Sequence, residues 1–542
     1  MSALQFYYTS CVQTTAGTSG FQMKAMSPGI SPDLQSLLAR LAAYRIPPAL
    51  DATHTDKHPI ALRYHYQNEQ ECILLCSQSS GTDELRRPGN FFAHGLVLEH
   101  DLFSCVPPIF FWKSPFWQKQ DPQERSQIVS LPVLNAFDEE PTLELEDIWR
   151  FLARDNRRAL LHKLLCAVLS SGTTQRRIVI IDEVEQVVMW IAAVSCLLPP
   201  TYRPLLTFAT FHHDPYQSLS LVTGTTGAPF FRASREEYQS FFVLNALTDT
   251  ASNVPPSAYA DLAVAFAESG LYETKLLRLF SDYTRHFPYA PVFDGQLDHL
   301  AHYSRIVLGQ SIDPLTPQER ESLQIALSSF ENLPTLTQED ADELSHIAIA
   351  LRERRRAEHA PRIDGEYLHV IALLQNTPAA LDDLVLEELL FVIDHMMTSG
   401  QTDYDMQLMQ ELCEIYGKAR VLAVLNSMPY LLRLFEHMEN ARCDQLCTLW
   451  KMLGAYIQPT THSLDMILIS LHKHVQLWKQ QNTHEIYPLL QEMLLAVNEY
   501  SQQWLQLLHQ LDDHVPFEIF SSLCQEVECS PSSVEERIDQ GM

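Results

Sequence analysis

Two adjacent carboxylates follow an unbroken apolar run near the middle of the chain. Ile178 to Ile181 are all apolar, and Asp182 and Glu183 come directly after them. This is the form of a Walker B strand, in which the first carboxylate holds a magnesium ion and the second polarises the attacking water. A buried parallel strand that ends at the acidic cap of a helix has the same pattern.

A phosphate-binding loop distinguishes these two interpretations. It has the pattern G-x-x-x-x-G-K-S/T, because bare backbone amides cradle the phosphates while the lysine reaches them. The sequence contains no such run, and the nearest segments, 171–174 and 224–227, carry no lysine. We therefore interpret Asp182 as a helix cap after a core strand. The alternative interpretation, in which they are functional, makes Asp182 and Glu183 the acids of a vestigial nucleotide site.

A cysteine and a histidine in the first part of the chain are candidates for covalent catalysis. Cys11 lies in a segment rich in glycine and threonine, and His94 follows Phe91-Phe92-Ala93. A thiol beside an imidazole base is the arrangement of a Cys/His hydrolase. No G-x-S-x-G elbow is present to support a serine alternative. The competing hypothesis to a non-catalytic protein is thus a divergent enzyme, either this hydrolase or a nucleotide binder using Asp182 and Glu183.

The spacing of cysteines and histidines does not favour a metal site. Cys72 and Cys76 are four residues apart on a predicted strand, and Cys443 and Cys447 are one helical turn apart. Neither pair has the two-residue spacing of a zinc knuckle, so we interpret these thiols as small buried hydrophobic groups. The run His212–Asp214 is interpreted as a strand leading into a turn. We predict no metal and no cofactor.

Composition restricts the classes of partner. The chain has 542 residues and a net charge of -29, so several domains are expected and neither nucleic acid nor an anionic membrane surface is an expected partner. Its 11 cysteines are scattered, and no signal peptide is recognised at the start, which together predict a reducing, cytoplasmic location. The longest apolar stretch, 187–198, is too short to insert across a membrane, which takes about 20 residues.

The order of strand-like and helix-like patterns along the chain predicts the elements that position these residues. It indicates a multidomain protein, with an α+β and α/β first half followed by an all-α helical array. Strand-like runs separated by turns characterise the first part, alternating helices and strands the second, and leucine-rich amphipathic stretches the third. The predicted divisions are an α+β N-terminal domain (1–135), an α/β middle domain (136–252), an α-helical region (253–525) and a disordered acidic tail (526–542).

Individual elements are predicted from periodicity and caps. In the first half we expect strands at 6–9, 61–66, 71–77, 95–98, 177–182 and 205–211, and helices at 34–41, 143–169 and 184–198. In the helical region, Thr316 and Glu319 have the spacing of a capping box, and Thr337 with Asp340 repeats it.

Two groups of short motifs occur in a defined order. The first comprises Tyr7–Ser10, Gly20–Gly29 and Arg87–Val97, and the second comprises Trp190–Pro199, Leu206–Phe211 and Asp214–Pro215. Together they resemble the bacterial GTPase-associated protein family, with its type-two N-terminal domain followed by its middle domain. Members of this family occur beside a GTPase in predicted NTPase-centred conflict (defence-like) systems. The resemblance ends near residue 230.

The resemblance implies a non-catalytic adaptor or regulator that associates with a GTPase, and it supplies no catalytic residue. We predict that Gly20 and Gly29 flank a backbone-exposed loop and that Pro88-Gly89-Asn90 forms a turn. Such loops commonly serve recognition. The alternative is that they only maintain the fold. The candidate recognition residues are Gly20, Phe21, Ser27, Pro28, Gly29, Arg87, Pro88, Asn90 and His94.

Overall fold

The computed structural model forms two compact units, Met1–Ser329 and Phe330–Met542. The residues it describes are 3–12, 19–47, 50, 54–68, 71–83, 85–98, 103, 106–120, 143–154, 156–226, 231, 236–268, 272–287, 290–310, 315–357, 365–399, 402–427, 429–430 and 433. The predicted acidic tail at 526–542, together with Cys443 and Cys447, lies outside these ranges.

The described residues of the first unit form a sheet of ten strands. They are β1 (Leu4–Cys11), β2 (Gly20–Met26), β3 (Ala61–Tyr66), β4 (Cys72–Thr82), β5 (Pro88–Leu98), β6 (Arg177–Ile181), β7 (Phe208–Ala209), β8 (Val222–Thr225), β9 (Phe241–Asn245) and β10 (Thr250–Ala251). Their order across the sheet is β10-β9-β6-β8-β7-β3-β4-β5-β1-β2. The sheet is mixed, because β6 to β9 run parallel and the remaining pairs are antiparallel.

Helices accompany the strands in the first unit and form the described elements of the second unit. The first unit contains α1 (Pro32–Ala42), α2 (Leu145–Leu152), α3 (Arg157–Leu169), α4 (Ser171–Thr174), α5 (Val184–Leu197), α6 (Glu237–Ser240), α7 (Ala258–Glu268), α8 (Tyr272–His286), α9 (Leu297–Val307) and most of α10 (Pro317–Glu331). The second contains α11 (Gln338–Ala357), α12 (Gly365–Leu374), α13 (Pro378–Ser399), α14 (Thr402–Tyr416) and α15 (Lys418–Leu425). The predicted fold class is confirmed.

The N-terminal strands form where apolar side chains alternate or run together. β3 has the predicted limits, and β1, β4 and β5 extend the predicted runs. α1 starts at Ser31, whose hydroxyl accepts a hydrogen bond from the Leu34 amide at 3.3 Å. Its apolar face then places Leu38 and Leu41 against Phe6 in one hydrophobic core.

The predicted loop from Gly20 to Gly29 is wrong over most of its length. Residues 20–26 form β2, which pairs with β1, and a turn follows in which Gly29 has a φ of +108°. The segment GFQMKAM contains no β-branched residue and is only partly buried, so the usual strand signal is absent. Pro88 likewise begins β5, and the turn before it spans 83–87.

The middle strands contain the predicted buried strand, β6, between β8 and β9. The single helix expected at 143–169 is instead two helices, α2 and α3, because Asn156 takes a left-handed conformation with a φ of +60° and breaks the helix. The strand expected at 205–211 is reduced to the two residues of β7. A 3-10 helix, Pro200–Leu205, occupies the chain just before it.

One short junction unites the two groups of strands. β3 pairs with β7 at only two positions, Arg63 with Ala209 and Tyr64 with Phe208. Beside them the Leu62 amide donates to the Thr210 hydroxyl at 2.9 Å. The sheet is therefore continuous between the two parts that we predicted to be separate domains, and the limits of those domains stay a prediction.

The capping boxes predicted in the helical part of the chain are confirmed. The Thr316 amide donates to the Glu319 carboxylate at 2.8 Å, and the Glu319 amide donates back to the Thr316 hydroxyl at 3.2 Å. Thr337 and Asp340 repeat the reciprocal pair at 2.6 and 3.2 Å. Among the described helices, none combines the length and the apolar character that crossing a membrane requires.

Candidate functional site

Asp182 lies at the carboxyl end of β6 and is bound within the fold. One carboxylate oxygen accepts from the Glu183 amide at 2.9 Å, and the other accepts from the indole Nε1 of Trp190 at 3.0 Å. The side chain is 6% exposed, and burial raises the pKa of Asp182 above its usual value. Our interpretation of Asp182 as the helix cap is wrong in detail. The N-cap of α5 is Glu183, and Asp182 instead anchors Trp190.

A cavity of about 480 Å³ opens beside Asp182. It lies at the carboxyl ends of β6 and β9 and the start of α3. Its lining is formed by Arg154, Arg157, Leu160, Asp182, Trp190, Ala246 and Asp249. We call this cavity the crevice.

The order of the strands explains why a crevice forms at this place. From β6 the chain passes through α5 to β7, on the β8 side of β6, whereas from β8 it passes across β6 to β9. Successive connections therefore diverge at β6. In open α/β sheets, the carboxyl ends of strands at such a switch point are the usual place for a ligand.

Two guanidinium groups face the crevice. Arg157 is held in place, because it donates to the Phe151 carbonyl at 3.2 Å and the Gln186 side chain at 2.9 Å, and stacks on the Phe151 ring at 3.9 Å. Partial burial and then the like charge of Arg154 lower the pKa of Arg157, while Asp182 and Asp249 oppose that shift. Among the described residues, neither Arg154 nor Arg157 forms an ion pair.

His94 occupies a different and enclosed position on β5. It is 1% exposed, its Nδ1 accepts from the Gln118 amide at 3.1 Å, and its Nε2 lies 3.0 Å from the Gln5 side-chain oxygen. Because Nδ1 accepts, the proton is assigned to Nε2, which donates to Gln5. Burial lowers the pKa of His94 to about 3. His94 therefore positions the segment around Gln118 as a neutral side chain.

The proposed pairing of Cys11 with His94 is wrong. His94 lies opposite Tyr7 in the sheet, and Cys11 is four residues further along β1. At about 3.3 Å per residue, the two positions are separated by roughly 13 Å along the strand. The ring of His94 instead contacts Tyr7 and Trp117, at centroid distances of 5.1 and 5.3 Å. No hydrolytic pair is formed by these residues.

Five of the predicted recognition residues lie together at one end of the N-terminal strands. Ser10 connects them: it pairs with Phe21 on β2, its hydroxyl donates to Asp83 at 3.2 Å, and its amide donates to the Asn90 side chain at 3.3 Å. Arg87 in turn donates to Asp83 at 2.7 Å. We call this end of the sheet the rim. It contains Gly20, Phe21, Leu85, Arg87, Pro88 and Asn90.

The rim presents apolar side chains to solvent. Phe21 is 47% exposed although its ring stacks on Phe91 at 4.6 Å, and Leu85 is 53% exposed. Asp83 fixes the turn that carries Leu85 by accepting from the Leu85 amide at 3.0 Å and the Arg87 amide at 2.8 Å. The polar groups of the rim are thus used to shape a surface with exposed apolar groups.

Ser27, Pro28 and Gly29 lie at the opposite end of β2, away from the rim. The buried Ser27 hydroxyl accepts from the Gln5 amide at 2.9 Å, and the Ser27 amide donates to the Gln5 carbonyl at 2.8 Å. These contacts close the turn after β2 onto β1. In the structure they maintain the fold at that end of the sheet.

The cysteines and histidines within the described residues form no group of three metal ligands. Cys72 and Cys76 are buried on β4, and burial raises the pKa of Cys76 to about 12, as expected of thiols packed as hydrophobic groups. His212 accepts from the Asp214 amide at 3.1 Å, and the Asp214 side chain caps the following 3-10 helix. The predicted turn at this place is confirmed.

One lining residue of the crevice is marked by a sequence pattern, and the other charged residues of the lining are not. Asp182 was identified from the apolar strand before it, but Arg154, Arg157 and Asp249 were not. The available signal was local: Arg154-Asp155-Asn156-Arg157 is a polar interruption within an otherwise amphipathic segment. Nothing in the sequence connects that interruption to Asp249, which is 67 residues after Asp182.

Comparisons with known proteins match two successive segments in the first half of the chain. Residues 2–137 match the family model of the GTPase-associated protein 1 N-terminal domain type 2, and residues 148–248 match that of the GTPase-associated protein 1 middle domain. Both matches fall in the family that the motifs resemble, so the resemblance inferred from the motifs is confirmed.

A curated relative matches part of the chain. The "Putative ESX-1 scaffolding and assembly protein SaeB" of Mycolicibacterium smegmatis is 27% identical over 226 residues. The alignment covers 38% of this chain and 26% of the relative, so the chain spans only about a quarter of that protein's length. No solved structure matches the chain significantly.

Proposed function

We propose that this protein is a non-catalytic adaptor that associates with a GTPase in a bacterial conflict (defence-like) system and works in the cytoplasm. The observation that carries the proposal is the succession of two GTPase-associated protein 1 domains in the first 248 residues. The name of the partly matching relative, a scaffolding and assembly protein, supports an adaptor-like role.

The chemistry of the candidate residues supports the same proposal. Both carboxylate oxygens of Asp182 accept hydrogen bonds from the protein, so this residue serves the fold where an NTPase would use it to hold magnesium. His94 is neutral, enclosed and remote from Cys11. GTP hydrolysis is accordingly assigned to the partner.

The rim is the surface that we propose for the partner. Phe21 and Leu85 are large apolar side chains exposed to solvent, and the exposed Arg87 lies beside them. Aromatic and arginine side chains contribute disproportionately to protein interfaces. The hydrogen bonds of Asp83 hold this surface in shape before any partner arrives, which reduces the entropy lost on binding.

Co-purification tests the association. The tagged full-length protein is co-expressed with the GTPase encoded beside it and recovered under gentle conditions. A stable complex is expected, and the Leu85→Glu and Phe21→Ser substitutions should each weaken its affinity at least tenfold, or about 1.4 kcal/mol. Leu277→Glu is the matched control, because Leu277 is 67% exposed on α8 of the same unit.

Two results would overturn the proposal at different levels. Recovery of the protein alone, with the GTPase present and folded in the lysate, contradicts the adaptor function. A complex that tolerates both rim substitutions as well as it tolerates Leu277→Glu contradicts the rim as the interface while leaving the association itself intact.

A further inference from the structure

We propose that the crevice binds a phosphate-bearing ligand of mononucleotide size, with its phosphate against the guanidinium groups of Arg154 and Arg157. This ligand site goes beyond the adaptor function and does not depend on it. It also differs from a triphosphatase site, because the basic residues carry the recognition and no metal ion takes part.

The two arginines are suited to an anion. Neither has an ion-pair partner among the described residues, although both line the same cavity. Arg157 uses one N–H of each terminal nitrogen on Phe151 and Gln186, so further N–H groups of its planar fork are available. Guanidinium groups bind phosphate oxygens through paired hydrogen bonds, and a preordered one loses less entropy on binding.

The acidic side of the crevice indicates what the rest of the ligand carries. Asp249 is exposed at the cavity wall and has a φ of +52°, which sets its backbone in a defined turn after β9. A carboxylate in this position accepts hydrogen bonds from hydroxyl or amino groups. A ligand that carries a phosphate together with sugar hydroxyls or base amines therefore matches both kinds of charged group in the lining.

The size of the crevice agrees with such a ligand. Its volume of about 480 Å³ lies inside the range of about 300–1,000 Å³ typical of small-molecule sites. This space exceeds what a lone phosphate needs, and the divergence of the chain at β6 places it where α/β sheets bind ligands. Leu160 and Trp190 are the large apolar residues of the lining.

Binding should be independent of magnesium. The ion keeps most of its waters and is usually held by one or two carboxylates together with phosphate oxygens. The first carboxylate of the strand pattern, Asp182, is not available for this role, because its two oxygens accept from Trp190 and Glu183. The phosphate charge is instead balanced by the two arginines.

Calorimetric titration of the full-length protein tests the site. AMP, GMP, UMP and inorganic phosphate are titrated separately, with EDTA and again with Mg²⁺. At least one mononucleotide should bind more tightly than inorganic phosphate, with equal affinity in both buffers. The double substitution Arg154→Gln/Arg157→Gln should weaken binding at least tenfold. Arg158→Gln, which makes the same change on the next residue of α3 outside the cavity lining, should leave it unchanged.

The contrary outcomes are equally specific. No binding by any of the three mononucleotides at millimolar concentration overturns the proposal, as does equal affinity for inorganic phosphate, a requirement for Mg²⁺, or full affinity in the double variant. If circular dichroism shows that the double variant is unfolded, the single variant Arg154→Gln replaces it, because Arg154 is exposed and its replacement should not disturb the fold. This variant should still bind the mononucleotide several-fold more weakly than the wild type. GTPase co-purification is a separate measurement, so failure of either proposal is recognised independently.

Discussion

The rim and the crevice both gather polar side chains at strand ends of one sheet, but they use them differently. At the rim, Asp83 accepts from three donors of Leu85 and Arg87, and the surface left to solvent includes the large apolar side chains of Phe21 and Leu85. At the crevice, Asp182 is bound within the fold while Arg154 has no ion-pair partner among the described residues. A cluster of polar side chains thus indicates a ligand site only where bonds within the protein have not already used the donors and acceptors of those side chains.

The largest expected effect compares the backbone packing of β8, beside the crevice strand β6, with that of the strand end near the rim. Gly224→Ala should destabilise the protein by about 3 kcal/mol, because the added Cβ would lie 2.3 Å from the Thr210 carbonyl oxygen and 2.5 Å from Val187. Gly89→Ala, near the rim, has open space but a φ of +85°, so it should cost about 1–2 kcal/mol. Urea denaturation of both variants measures the difference. A larger loss for Gly89→Ala would contradict this account.

A pH-dependent effect is expected from the enclosed histidine of the N-terminal strands. The pKa of His94 is about 3 in the fold against 6.5 in a model peptide, so below pH 6.5 the unfolded chain takes up a proton that the folded chain does not. Stability from this group is therefore present above pH 6.5 and lost as the pH falls toward 3, by at most about 1.4 kcal/mol per pH unit.

The substitution His94→Gln isolates this contribution. The variant lacks the ionising group, so its stability should fall less steeply than that of the wild type between pH 6.5 and 4 in denaturation measured across that window. Parallel curves for the two proteins would show that His94 is accessible to protons in the folded state, contrary to its burial.

The smallest effect is expected at the crevice and has the opposite sign. Burial raises the pKa of Asp182 above 3.8, so the folded protein holds the proton to higher pH than the unfolded chain. Its contribution to stability is complete below pH 3.8 and is lost as the pH rises through the folded pKa. Asp182→Asn should therefore gain stability relative to the wild type as the pH rises from 3.8 toward neutrality.

Thermal unfolding from pH 4 to 7 measures that relative gain. Glu183→Gln is the control, because it changes the adjacent, exposed carboxyl on the same chain segment. A difference between Asp182→Asn and the wild type that stays constant over the whole range contradicts the raised pKa. Together, the His94 and Asp182 series distinguish a neutral enclosed base from a buried acid within one sheet.

Local signals allowed much of the fold to be predicted. The apolar run at 178–181 and the β-rich run at 61–66 became strands, and the Thr316–Glu319 spacing became a reciprocal cap, because each depends on residues close in sequence. Predictions failed where a local pattern was indistinct or overridden. β2 lacks β-branched residues, and Asn156 divides a segment that otherwise has helical periodicity.

The crevice and the joining of the strands could not be predicted for a different reason. The bond from Leu62 to Thr210 spans 148 residues, and no property of either segment specifies the other as its neighbour. In the crevice, Arg154 and Asp249 line the same cavity although they are far apart in the sequence. One sequence reveals which residues could bind a ligand, whereas only the packed sheet shows which of them meet.

At the two-position junction, β3 and β7 each pair with a strand that would otherwise be the edge of its half of the sheet. Cutting the chain between them would leave each fragment with an open strand edge, and such edges readily pair with whatever strand is available. Fragments made at this boundary should aggregate when expressed alone and recover when expressed together, as in split-protein complementation.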